Sequence, residues 1–417
     1  MLIWLVSGHF IFSEASERIS PIDEHGYCGR GRIPTYPAPH LDATLVSVNT
    51  FFRHGIRADY RRTTCFSNGA QTAFSSSLLT SFDIEPMSKE GSCVGQLVKR
   101  YGRGFQVGEL LDYAETQMFR LAKYLQHAYP LFYGEENLAD AFLRSTDVER
   151  TLGSMNLLVK NLAGDSPVPS FIVHTDDFEY DPLNLNCQNC QRALEIANSF
   201  TSTEEYKDVL KSDEYADCEA RWLNEIGTSF DITQSFDCLM APACAKVPLP
   251  GGVVASDELM QCVSDLALEL RRLRYGSPEG VEFCQLATYP FMIDLLKNVQ
   301  RHVSGLWAAH DDTLVCILSA AGLWNGKWPK YASFITIEAY SNDRIRIVWD
   351  GAEVGILDNL RMLVMPGVEN TTDYKTVCNR QINHENAKYD DESNWPGLAG
   401  VTRMLGVLSV VLLVVYF

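Results

Sequence analysis

Thr44-Leu45-Val46-Ser47-Val48-Asn49-Thr50-Phe51-Phe52-Arg53-His54-Gly55-Ile56-Arg57 is a largely apolar run that ends in a histidine between two arginines. The run reads as a strand, so the polar residues that follow stand at the strand's carboxyl end. Guanidinium groups beside His54 disfavour its protonated form. Clustered like charges also cost energy unless an anion binds among them. A neutral imidazole among arginines suits attack on a phosphate ester, which makes Arg53, His54 and Arg57 candidate site residues. Gly55 is expected to let the backbone approach a ligand closely.

Two later stretches repeat this plan. Ala141-Phe142-Leu143 runs into Arg144, and Thr146 with Glu149 forms a capping-box pattern. Val148, Leu152, Met155, Val159 and Leu162 then recur at helical spacing. Val303 to Ala309 runs into His310-Asp311-Asp312, followed by a helical stretch from Thr313 to Ala321 that Gly322 closes. Strand, polar residues and helix, three times over, imply an α/β fold: a central, mainly parallel sheet flanked by helices. In such sheets ligands bind at the carboxyl edge, where helix N-termini favour anions. Phe334 to Tyr340 and Ile345 to Trp349 flank Ser341-Asn342-Asp343-Arg344 and read as a hairpin.

The core is expected over 44–165 and 280–366. Residues 166–279 are richer in cysteine and short helical patterns, such as Glu204 to Lys211 and Asp257 to Leu273, and read as an inserted, mainly helical cap. The polar, acidic stretch 367–396 reads as a stalk. Residues 397–417 read as a membrane tether of open type, because Met404 to Phe417 carries no charge. The apolar start, with small residues at Ser13 and Ala15, reads as a leader over 1–15. Twelve cysteines and the sequon Asn370-Thr371-Thr372 fit a glycosylated, disulfide-bonded protein of the secretory pathway, held at the cell surface or in a lysosome-like compartment. The net charge of −18 argues against nucleic acid as a partner. A homodimer is compatible with the sequence, which does not specify the oligomeric state.

Arg144, between a strand and a capped helix, is a candidate third phosphate ligand. Of Asp311 and Asp312, at least one is accounted for as a helix cap, and His310 beside them is less easily read that way. Cys187-Gln188-Asn189-Cys190 lacks a second pair of zinc-site spacing, so disulfides are the better reading. Cys316, in an apolar helix, reads as a buried thiol.

Together these segments resemble the histidine acid phosphatases, the branch of the histidine phosphatase superfamily that includes prostatic and lysosomal acid phosphatases. The family's Arg-His-Gly-x-Arg-x-Pro appears as Arg53 to Asp59, its arginine before Ser-Thr-Asp as Arg144-Ser145-Thr146-Asp147, and its His-Asp as His310-Asp311. Trp328-Pro329-Lys330-Tyr331-Ala332-Ser333 also resembles the family, and the likeness extends over roughly 44–350. The resemblance implies a histidine phosphatase fold and hydrolysis of small phosphate monoesters. It makes His54 the nucleophile of a phosphohistidine intermediate and Asp311 the proton donor, with Asp312 a cap or supporting group. Arg53, Arg57, Arg144 and His310 would hold the phosphoryl oxygens, with no metal or other cofactor. It also implies a disulfide from Cys187 or Cys190 to Cys378. Asp59 replaces the family's proline and adds a negative charge near the anion site. A relative specialised for an inositol polyphosphate or a lysophospholipid phosphate, and a catalytically weak surface binding protein, are the alternatives.

Overall fold

The computed structural model describes residues 26–31, 34–37, 41–58, 83–86, 108–134, 137–164, 171–176, 178, 180–249, 252–363 and 371–379. The leader, Asp59, Asn370 of the sequon and the 397–417 tether lie outside the described residues. No described helix is long and apolar enough to cross a membrane.

One sheet organises the chain. Its strands are β1 (Leu45–Arg53), β2 (Asp83–Pro86), β3 (Phe142–Ser145), β4 (Ile172–Thr175), β5 (Gly305–Ala309), β6 (Phe334–Tyr340), β7 (Ile345–Trp349) and β8 (Ala352–Leu357), in the order β2-β4-β3-β5-β1-β6-β7-β8. The first five in that order are mutually parallel; β6, β7 and β8 continue the sheet antiparallel. β1 is covered on both faces, which bury its apolar side chains together with the hydrogen-bonded Ser47, Asn49 and Thr50. Val48 and Phe52 pack on one side with α1 (Tyr113–Ala128) and α2 (Glu149–Ala163). Phe51 packs on the other with α8 (Pro278–Gln300) and α9 (Asp311–Ala320).

Between β4 and α8 stand α3 (Gln191–Ser199), α4 (Glu204–Lys211), α5 (Asp213–Glu225), α6 (Ile232–Ala245) and α7 (Asp257–Gly276). Helices α4 to α8 start where Thr203, Ser212, Asp231, Ser256 and Ser277 accept a backbone N–H two or three residues ahead.

Among the described residues, four disulfides tie these parts together. Cys28–Cys244 joins the N-terminal segment to α6, and Cys218–Cys262 joins α5 to α7. Cys190–Cys378 holds α10 (Thr371–Cys378) against the body, while Cys187 remains a buried thiol. The stretch read as a stalk thus includes a docked helix, with Tyr374 stacked on Tyr289 at 4.3 Å between centroids. Cys316 is not the free thiol expected. α8 and α9 run side by side and bring Cys284 and Cys316 to a Cα separation of 4.6 Å, where they bond.

Candidate active site

Strand register builds the site. Arg53 pairs with Ala309 across β1 and β5, so His54 and His310, one residue on, leave the sheet together. Their ring centroids are 5.7 Å apart. Ser145 pairs with Ala308, which brings Thr146 to the same edge. Its hydroxyl does not cap α2, whose N-cap is Val148 without a side-chain bond. It lies instead 3.0 Å from His310 Nε2.

His54 is buried, and its Nδ1 is 2.8 Å from the Gly55 carbonyl. A carbonyl can only accept, so the ring proton sits on Nδ1 and Nε2 keeps its lone pair. Burial, then Arg150, Arg53, His310 and Arg57, hold the His54 pKa well below the usual histidine range. The residue is neutral even in mild acid. His310 is held neutral in the same way, by burial first and then by Arg150.

The loop after His54 is clamped from below. Gly55 N–H donates to Ser154 Oγ at 3.0 Å and Ile56 N–H to Gln117 Oε1 at 2.6 Å. Gly55 serves packing rather than ligand approach, because a Cβ there would lie 2.6 Å from Ala114 Cβ on α1. Gly55→Ala is expected to destabilise the fold by about 1–3 kcal/mol through overpacking. It should also lower kcat, since α1 and His54 must move apart. Thermal melts and kinetics on the same preparation check both effects.

The arginines fall into three situations. Arg53 lies beneath the cleft, stacked over Tyr331 at 4.1 Å and hydrogen-bonded to Pro329 O at 2.7 Å and Tyr27 Oη at 3.0 Å. It reaches the cleft through Asp311, whose Oδ2 is 2.9 Å away. Arg57 borders the cleft and grips Asp237 of α6 through both guanidinium nitrogens, at 2.9 and 3.1 Å. Arg144 does not reach the cleft. It pairs with Trp307, three positions short of His310, and its guanidinium turns to the buried Asp181 at 2.5 Å. Arg150, in the first turn of α2, borders the cleft instead and faces His310 Nδ1 at 3.4 Å.

Asp311 opens α9. Its Oδ2 accepts from Trp328 Nε1 at 3.0 Å as well as from Arg53. Burial alone would raise this carboxyl, but Arg53, Arg271, Trp328 and Arg57 together hold it below the ordinary carboxylate range. Burial and the Asp311 carboxylate push Asp312 the other way; its Oδ1 accepts from Thr313 N–H at 2.9 Å. Above these groups the cleft, about 320 Å³, is walled by Leu194, Phe200, Ile232 and Leu270 from the segment between β4 and α8, and by Phe283 of α8.

Sequence reasoning missed Arg150, Tyr27, Asp237 and Arg271. Arg150 had a signal in its place on the first turn of a helix leaving the sheet edge. The other three come from distant segments and had none.

A neutral, fixed imidazole facing arginines at the carboxyl edge of an α/β sheet, with a carboxylate beside it, has the chemistry that attack on a phosphate ester requires. The comparisons agree. Mouse testicular acid phosphatase is 25% identical over 340 residues, covering 76% of this chain and 72% of that protein. Rat lysosomal acid phosphatase is 26% identical, covering 59% and 62%. Human lysophosphatidic acid phosphatase type 6 is 24% identical, covering 57% and 58%. The apo phytase of Hafnia alvei shares the fold, with a TM-score of 0.50 at 12% identity over 75% of this chain and 85% of that one. No protein-family model matches the chain. In sequence the chain is thus similar to testicular, lysosomal and lysophosphatidic acid phosphatases, and in fold to a phytase.

Proposed function

We propose that the chain is an acid phosphomonoesterase working in two steps through a phosphohistidine on His54. The observation that carries this reading is the His54 tautomer: Nδ1–H engages the Gly55 carbonyl, and Nε2 is left as a neutral nucleophile beside Arg57, Arg150 and His310. In the first step Nε2 attacks phosphorus, the ester P–O bond breaks, and the leaving oxygen takes a proton from Asp311. In the second, Asp311 takes a proton from water, which attacks phosphorus and releases phosphate. Arg57, Arg150 and His310 hold the phosphoryl oxygens, while Arg53 supports the positive field from beneath and fixes Asp311. Among the described residues, no cluster of three or more His, Cys, Asp or Glu could hold a metal ion.

The Asp311 pKa determines where the acid function comes from. The carboxyl is held low by the arginines, so it is ionised in the free protein. A phosphate monoester has its second pKa near about 6, and its monoanion therefore carries a proton at acid pH that can pass to Asp311. The sign follows: kcat/KM falls as pH rises through that range and the ester arrives without its proton. Asp311→Ala is expected to slow an alkyl phosphate by roughly 10²–10⁴-fold and a nitrophenyl phosphate much less, because nitrophenolate leaves unprotonated. Steady-state kinetics on the two esters, in chelator, test the reading. Equal losses on both would remove Asp311 as the acid, and absence of hydrolysis would remove the phosphatase.

Four described disulfides fit an oxidising compartment and support placement in the secretory pathway. The 397–417 tether is part of the same proposal, supported by its apolar sequence alone.

A further inference from the structure

Arg271, on α7, stands in the wall between two cavities. One is the cleft. The other, about 550 Å³, lies behind it and is bordered by Lys327, Lys330, Trp349 and Asp350 among others. The two share Tyr27, Phe236, Arg271 and Trp328. The Arg271 guanidinium is stacked between two of these rings, its Cζ 4.3 Å from the Phe236 centroid and 4.5 Å from that of Trp328. Such stacking fixes the plane of the group while leaving its edge donors available.

The neighbouring arginines are engaged: Arg53 with Asp311, Arg57 with Asp237, Arg150 with His310. Among the described residues, Arg271 makes no hydrogen bond or close ion pair; it stacks on the two rings and acts on the Asp311 carboxylate through charge alone. Burial pulls its pKa below the usual arginine range, as expected for a desolvated cation lacking a hydrogen-bonded counter-charge. The indole under Arg271 is the one whose Nε1–H holds Asp311. The leaving oxygen departs at Asp311, so the alcohol half of an ester extends on this side. Behind Arg271, Lys327 and Lys330 add positive charge, with Asp350 paired to Lys330 at 3.2 Å. This is a local positive field in a chain of net charge −18.

We propose that Arg271 recognises a second oxyanion carried on the alcohol half of the substrate, so that the cleft prefers phosphate monoesters with an acidic leaving group over neutral ones. The inference rests on the phosphomonoesterase reading above. Its test is kcat/KM for phenyl phosphate, 3-carboxyphenyl phosphate and 1,3-phenylene bisphosphate, with wild type, Arg271→Gln and Arg271→Lys. The wild type should favour at least one charged ester by about 10-fold or more, the scale of a charge-assisted hydrogen bond. The charged ester that is favoured identifies the oxyanion as carboxylate or phosphate. Arg271→Gln should abolish the preference, and Arg271→Lys should keep part of it, which a merely structural role would not do. A preference that is absent in the wild type, or unchanged in Arg271→Gln, overturns the inference while the phosphatase stands. Failure of the wild type to hydrolyse all three esters removes the phosphatase reading, and the inference with it.

Discussion

Alanine at position 54 is expected to lower kcat by roughly 10⁴-fold or more, because residues that act as one catalytic unit fail together when the nucleophile is lost. The fold should survive this change. His54 N–H donates to the Ala309 carbonyl at 3.2 Å and its own carbonyl accepts from Ala332 N–H at 3.2 Å, both main-chain bonds that alanine keeps. The one side-chain hydrogen bond goes to the adjacent Gly55 carbonyl. The loss is therefore chemical, and unfolding would be seen separately in a thermal melt. Rapid mixing with ³²P-labelled ester, followed by an alkaline quench that preserves a phosphorus–nitrogen bond, should trap a labelled protein in the wild type and none in His54→Ala. Turnover within tenfold of wild type in the variant would exclude His54 as the nucleophile.

How much of this was legible in the sequence follows from which contacts are local. Strands covered on both faces are largely apolar, so β1 and β5 stood out as runs, and the residues that follow them, His54 and His310, marked the edge. The hairpin of β6 and β7 was legible because it is closed by a four-residue turn of polar residues. Long-range partners left no such trace. Tyr27 reaches Arg53 because Cys28–Cys244 fastens its segment to α6, and Asp237 reaches Arg57 from the same helix. The Cys284–Cys316 bond depends on how two helices pack, which neither helix announces. Thr146 matched a local capping pattern, but tertiary packing turned its hydroxyl to His310 instead.

Arg144 and Arg150 provide the sharpest contrast between motif and geometry. Arg144 lies in β3, where the sequence placed the third arginine, and Arg150 lies in the first turn of α2. Arg150→Ala is expected to lower kcat/KM by about 10²–10³-fold with little change in melting, the loss typical of one donor to a developing oxyanion. Arg144→Ala should instead cost about 3–5 kcal/mol of stability by leaving a buried carboxylate unpaired, with near-normal kinetics for the molecules that remain folded. The stability loss should itself depend on pH. Burial already pushes the Asp181 carboxyl up to about 6 despite Arg144, and removing the guanidinium pushes it further. A carboxyl whose folded pKa is raised favours the fold at low pH, where it is protonated, and loses that advantage as pH rises through its folded pKa. The melting deficit of Arg144→Ala should therefore be small near pH 5 and grow through pH 6 to 8, while the kinetic deficit of Arg150→Ala shows no accompanying change in melting. An Arg144→Ala protein that melts like wild type at neutral pH yet fails in catalysis would return the third phosphate ligand to position 144, and with it the motif-based assignment.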